Sequence, residues 1–485
     1  MDHYDLIVIG SGPAGRRAAV QAAKLGRSVL VVERGRRVGG VCVHTGTIPS
    51  KTLRETVLNL SGWRERGFYG RAYRAKNDIS AADLGRRLTM TLDHEVDVLE
   101  HQFARNGVAW AHGAARFVDP HTIEVASDTG VRRYGGARFI LAVGTSPWRP
   151  AHIPFDGDRI VDADDILDLK RLPRTLIVIG ASVIGIEYAT IFSALDVKVT
   201  VIEPTDTLLP FLDRELLDEF VHDMRDRGMT LRFRSPVARV SRAGERCIVE
   251  TEDGREIAGD MVLFAAGRIG ATADLGLDAC GLAADTRGRL AVDRTTFRTA
   301  VPHIFAVGDV VGFPSLASTS MEQGRIAACH AFDERASAPP EYFPYGIYTV
   351  PELSTVGLTE EQAREKGIAY ETGAARFRET ARGHIMGLHS GFLKMVFARE
   401  TRRLLGVHIV GEGATELVHI GQAVLNLGGG LDYFVENTFN YPTLAEAYKV
   451  AALDAWNRMP KRQPSQEIVE RRIQATLATL AAKTG

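Results

Sequence analysis

Apolar residues along this chain gather in short runs that stop at a glycine or an acid. "DLIVIG" (Asp5–Gly10), "SVLVVE" (Ser28–Glu33), "TLIVIG" (Thr175–Gly180) and "KVTVIE" (Lys198–Glu203) share this form, and "ARFILAVG", "MVLFAAG" and "IFAVGD" repeat it later. Runs of four or five Val, Ile and Leu with little alternation predict strands buried on both faces, as in a parallel sheet. Between the members of each pair lies an alanine- and isoleucine-rich stretch of helical length, which predicts two strand–helix–strand units.

Each unit turns on small residues at fixed spacing. Gly10, Gly12 and Gly15 form a G-x-G-x-x-G turn in the first, and Gly180, Ser182 and Gly185 stand at the same places in the second. Glu33 follows Gly10 by 23 positions, and Glu203 follows Gly180 by 23. The glycines let backbone N–H groups and a helix N-terminus approach a pyrophosphate, and the acid accepts hydrogen bonds from a ribose. The repeat implies two nucleotide-binding domains, with Ser182 small enough to stand for the middle glycine.

From about residue 346 the texture changes. "LKMVFARETRRLLGVHIVG" reads as two strands around a charged turn, and "EGATELVHIGQAVLNL" as an amphipathic helix, with no glycine fingerprint. The fold class expected is α/β: two Rossmann-like domains, the second inserted in the first, followed by an α+β dimerisation domain. The boundaries expected are 1–150 with 274–345, then 151–273, then 346–460, and a helical tail over 461–485 in which Ile473, Leu477 and Leu480 share a face and Ser465 is a cap.

Composition narrows the function. A formal net charge of -1, with 45% apolar and 25% charged residues, gives no footprint for nucleic acid or an anionic membrane surface. No apolar run approaches the roughly 18 residues that cross a bilayer, and the first strand starts at once without a signal-peptide pattern, so a cytoplasmic protein is expected. Cys42, Cys247, Cys280 and Cys329 are scattered, which argues against a disulfide framework or a zinc site; His384 and His389 lack a third ligand. No metal is expected.

Together these residues resemble the pyridine nucleotide-disulfide oxidoreductase superfamily over nearly the whole chain. The resemblance implies FAD in the first unit, NAD(H) or NADP(H) in the inserted one, and a homodimer or higher homo-oligomer built on the C-terminal domain. By that likeness Gly10, Gly12, Gly15, Glu33, Arg34, Gly39, Gly40, Val41, Cys42, Thr47, Lys51, Gly144 and Asp309 serve FAD, with Asp309 of "AVGD" on the ribityl chain. Gly180, Ser182, Gly185, Glu203 and Gly267 serve NAD(P). Lys51 of "TIPSK" matches a lysine near the flavin N5, and Glu187 of "GIEYA" its carboxylate partner; the two tune and position the flavin.

Two departures redirect the chemistry. Disulfide-reducing members use two cysteines, but the loop "GGVCVHTGTIPSK" holds Cys42 with Thr47 in the second place. They also carry a C-terminal histidine oriented by a glutamate, whereas "NYPTLAEAYKVAAL" keeps Glu446 and has Tyr441 for the histidine. What remains resembles the soluble, Si-specific transhydrogenase branch, which implies ping-pong hydride transfer between NADPH and NAD+ through FAD. Glu203 favours a 2′-hydroxyl over a 2′-phosphate; Arg232, Arg234 or Arg268 could supply a cation in three dimensions. The alternatives are an NAD(P)H diaphorase or oxidase passing electrons to quinones or oxygen, and a flavin-bound sensor without turnover.

Overall fold

The structure is a computed structural model that describes residues 1–459; the helix expected over 461–485 lies outside the described residues. A first sheet runs parallel through Ala109–His112, Val29–Glu33, Asp2–Ile9, Gly130–Leu141 and Ile304–Ala306. Gly130–Leu141 is long enough to serve twice: its first half pairs antiparallel with Thr122–Ser127, its last three residues pair parallel with Ile304–Ala306.

Side chains alternate across this sheet, so the unbroken apolar runs divide between two cores. Leu6, Val8, Val29, Val31 and Ile140 pack on one face with the helices Pro13–Lys24, Ala81–Arg105 and Ala317–Ala331. Ile7, Ile9, Leu30, Val32, Phe139 and Leu141 pack on the other with Phe117, Ile123 and Val125 of the hairpin that folds back over it. Each such residue contributes about 1.5–3 kcal/mol on burial. Helices Pro13–Lys24 and Ala317–Ala331 approach closely because Gly324 is small; a Cβ there would lie 2.1 Å from the Ala14 carbonyl oxygen.

The second sheet repeats the plan, all parallel, in the order Thr230–Arg232, Lys198–Ile202, Thr175–Ile179, Met261–Phe264, Ile160–Asp162. Leu176, Val178, Val199 and Val201 face the helices, while Ile177, Ile179 and Ile202 face an antiparallel meander built from Val237–Ala243, Arg246–Thr251 and Glu256–Gly259. The sequence pattern did not announce that meander, because its strands are short and charged residues break up their apolar positions. The chain leaves the first sheet through Thr145–Pro147 and returns through Arg268–Gly270, and these two crossings pair antiparallel.

The third unit is a five-stranded antiparallel sheet in the order Tyr345–Ile347, Leu353–Gly357, Leu404–Val410, Phe392–Ala398, Tyr370–Arg376. The two strands and the helix Ala414–Asn426 read from the sequence stand where expected. Helix Glu446–Arg458 docks through Ala447, Tyr448, Ala451, Ala452 and Ala455. No helix among the described residues is long and apolar enough to cross a membrane.

Candidate active site

The first glycine turn opens a cavity of about 620 Å³. Gly10 has φ +102°, and a Cβ there would strike the Ala142 carbonyl; one on Gly15 would lie 1.9 Å from the Gly10 oxygen. These two glycines therefore serve the fold. A Cβ on Gly12, the N-cap of helix Pro13–Lys24, would meet nothing within 4 Å. The space above it belongs to the cavity, at a helix N-terminus with donors for an anion.

Glu33 ends the adjacent strand, 7% exposed. Its Oε2 accepts from the Ser11 N–H (3.0 Å) and hydroxyl (2.6 Å), and its Oε1 from the Gly35 N–H (2.8 Å). The Ser11 hydroxyl in turn accepts from the Gly39 N–H at 2.8 Å. Ser11 thus ties the turn, the acid and the cysteine loop together, a role the sequence did not signal because serine is ordinary at that place. Arg34, Arg36 and Arg37 line the same cavity, with Arg37 also paired to Asp93.

The loop that follows folds into a short helix, Gly40–His44, and then helix Thr47–Leu60. Gly40 packs on Gly12, where its own Cβ would lie 2.9 Å from the Gly12 Cα. Gly40, Val41, Cys42 and Thr47 line the cavity, as do Gly144 and Asp309. The Cys42 thiol is pushed up from its ordinary pKa by burial, partly offset by a hydrogen bond with Thr47 and the charge of Arg16. It is accordingly a protonated, weak nucleophile at neutral pH. Asp309 is also pushed up by burial, with Arg268 and the Ser320 hydroxyl opposing. A shielded carboxyl facing the cavity suits the hydroxyls of a sugar chain, and with the open space above Gly12 the residues present fit a flavin nucleotide.

Gly15, Gly39 and Lys51 do not line the cavity: Gly15 and Gly39 support it from behind, and Lys51 sits one helical turn beyond Thr47 on the same face. The Lys51 Nζ donates to Glu187 Oε2 at 2.7 Å and lies 5.0 Å from the centre of the Tyr348 ring. Glu187 Oε1 accepts the Tyr348 N–H at 2.8 Å. Three units of the fold meet at this ion pair. Tyr348 thus joins the ion pair, at a position nothing in the sequence marks.

The second turn copies the first. Gly180 (φ +99°) and Gly185 are again held by close backbone contacts. Ser182 caps helix Val183–Ala194, and its hydroxyl donates to the Ala265 carbonyl at 2.9 Å, turned back into the fold. Its extra atoms are thereby accommodated. Glu203 Oε2 accepts from the Ala181 N–H (2.7 Å), and its Oε1 from the Thr205 N–H (3.1 Å) and hydroxyl (2.8 Å). Gly267 stands at φ +142° just beyond the strand Met261–Phe264, with open space where a Cβ would be. Arg268 does not approach Glu203: its guanidinium donates to Thr145 Oγ1 and O, each at 2.9 Å, and pairs with Asp164 at 3.4 Å.

Tyr441 is 68% exposed, while Glu446 begins helix Glu446–Arg458 with its Oε2 shielded and unbonded. The described residues contain no group of three or more His, Cys, Asp or Glu side chains placed to hold a metal ion.

Comparison with known proteins agrees with this architecture. Residues 4–324 match the family model for pyridine nucleotide-disulphide oxidoreductase, and residues 343–452 match its dimerisation domain. A soluble pyridine nucleotide transhydrogenase of Mycobacterium tuberculosis is 50% identical over 461 residues, covering 95% of this chain and 98% of the relative. The proteins of that name from Colwellia psychrerythraea and Klebsiella pneumoniae are 43% and 42% identical, each with 94% of this chain and 98% of the relative covered. Among solved structures, LpdA of M. tuberculosis superposes with a TM-score of 0.85 at 27% identity, covering 93% of this chain and 99% of that one. The HOCl-induced flavoprotein disulfide reductase RclA of Escherichia coli, in its Cu(II) complex, does so with 0.85 at 26%, with the same coverage. The chain belongs to the pyridine nucleotide-disulphide oxidoreductase family.

Proposed function

We propose that this protein is a transhydrogenase that moves hydride between NADPH and NAD+ by a ping-pong route through FAD, with no redox-active disulfide. One observation carries the reading: Cys42 is a free thiol, and the Thr47 hydroxyl stands where a disulfide reductase of this family needs a second sulfur. The relatives named soluble pyridine nucleotide transhydrogenase support the same reading.

The first cavity would hold FAD, its pyrophosphate over Gly12, its adenosine ribose at Glu33 and its ribityl chain at Asp309. A flavin held there would supply hydride chemistry between one nicotinamide and another. The protein supplies position and charge. The second turn, with Gly180, Ser182, Gly185 and Glu203, would seat the dinucleotide. Lys51, anchored by Glu187, places a cation where negative charge would gather on the reduced ring, and no protein acid or base is required. Cytoplasmic location and a homodimer on the C-terminal unit belong to the same proposal.

Reduction of thionicotinamide-NAD+ by NADPH, followed without oxygen, tests the reading. Parallel lines in double-reciprocal plots are expected. NADPH consumption that requires oxygen or a quinone, with no transfer to the thionicotinamide, overturns it in favour of an oxidase or diaphorase.

A further inference from the structure

A pocket that takes both NAD+ and NADPH must accept a hydroxyl and a phosphate at one position of the ribose. Glu203 serves the hydroxyl and repels the phosphate. Three donors hold its two oxygens in place, from Ala181 on one side and Thr205 on the other. The negative charge therefore has to be answered by something next to it.

The neighbouring edge strand supplies the answer. Strand Thr230–Arg232 lies in register beside Lys198–Ile202, and the two chains continue together past the sheet: the Glu203 N–H donates to the Arg232 carbonyl (2.8 Å), the Arg234 N–H to Thr205 (2.8 Å) and the Ser235 N–H to Glu203 (3.0 Å). Arg234 sits over the loop that follows Glu203. Its side chain is 80% exposed and reaches Asp206 at 3.7 Å, a long pair between exposed groups that a phosphate dianion can displace. Its backbone has φ +51°, a left-handed conformation that glycine adopts freely and arginine at a cost. Arg232 adds a second guanidinium at this edge, with its Nε shielded and unbonded.

We infer that Arg234, beside Arg232, binds the 2′-phosphate of NADP(H), so that one adenosine site reads the 2′-hydroxyl with Glu203 and the 2′-phosphate with arginine. This rests on the NADPH and NAD+ reading above. It explains how an acid at the end of the second strand coexists with NADPH binding. Because the contact is ionic and exposed, it weakens with salt while the Glu203 contact does not.

The test is calorimetric titration of the full flavin-loaded chain with adenosine 2′,5′-bisphosphate and with 5′-AMP. The native protein is expected to favour the bisphosphate, and Arg234→Gln to weaken it about tenfold without change in 5′-AMP, the usual scale for one charged contact. Arg234→Gly, which removes the guanidinium and relieves the backbone, is expected to show the same loss, and Arg234→Lys a partial one. Equal binding of the two nucleotides by the native protein, or an equal effect of Arg234→Gly on both, overturns the inference. Absence of NADPH to NAD+ transfer would sink the transhydrogenase reading while leaving this titration readable.

Discussion

Lys51 and Glu187, separated by 136 positions, stand 2.7 Å apart at the meeting point of the three units of the fold. The glutamate is the more deeply placed partner, with its side chain 5% exposed against 25% for the lysine. Its second oxygen fixes the backbone of Tyr348, so one carboxylate both holds the cation and joins the units.

Glu187→Ala leaves the Lys51 ammonium and the Tyr348 N–H without their acceptor. A loss of about 2 kcal/mol in urea-induced unfolding is expected, less than for a fully buried pair because Lys51 is partly solvated. Glu187→Gln keeps an acceptor for Tyr348 and is expected to lose less stability, while slowing reduction of the bound flavin by NADPH in stopped-flow measurements.

Gly12 and Gly15 look alike in the motif and differ in the fold. A methyl on Gly12 enters open cavity, so Gly12→Ala is expected to keep the melting temperature of the flavin-free chain to within the small cost of alanine at an N-cap, about 1 kcal/mol, while the purified protein loses its flavin. A methyl on Gly15 collides with the Gly10 carbonyl, and Gly15→Ala is expected to unfold the first unit. Flavin absorbance per chain together with calorimetric Tm separates the two.

Cys42 stands outside the proposed chemistry. Cys42→Ser is expected to retain transhydrogenation to within about threefold, the scale of a packing change, where loss of a nucleophile costs orders of magnitude. Its raised pKa further predicts that iodoacetamide modifies Cys42 more slowly than a free thiol at pH 8, with the rate rising only in more alkaline solution.

Asp309 carries a pH signature. Its carboxyl pKa is raised in the folded chain, so below the ordinary carboxylate range both states are protonated and it has no effect on stability. As pH rises the unfolded chain releases its proton first, and the folded chain is destabilised until its own group ionises. Asp309→Asn is therefore expected to raise the Tm of the flavin-free protein at pH 7, with the gain vanishing in strong acid. The same change is expected to weaken flavin retention, read from absorbance after dialysis.

Much of the scaffold is legible in the chain because its signals are local. The strand runs, the glycines at positions 10, 12 and 15 and the acid at 33 lie close together, and their geometry forces their spacing. Lys51 and Glu187 carry no local mark, and only family resemblance pairs them. Ser11 and Thr205 escape because a small hydroxyl residue in a turn carries no signal of its acceptor, and Tyr348 because its backbone N–H meets Glu187 only through tertiary packing. The arginines show the limit most clearly: positions 232, 234 and 268 are equal candidates in sequence, and only the fold sends Arg268 to Thr145 and Asp164 while leaving Arg234 beside Thr205.

In the proposed cycle hydride enters and leaves through nicotinamides alone. The most direct test reduces the flavin anaerobically with one equivalent of NADPH, removes NADP+ by rapid gel filtration, and then adds NAD+ to the isolated reduced protein. One NADH per flavin is expected, with return of the oxidised flavin spectrum, unchanged in Cys42→Ser. A reduced flavin that persists in NAD+ and recovers its colour only with oxygen or a quinone would contradict it.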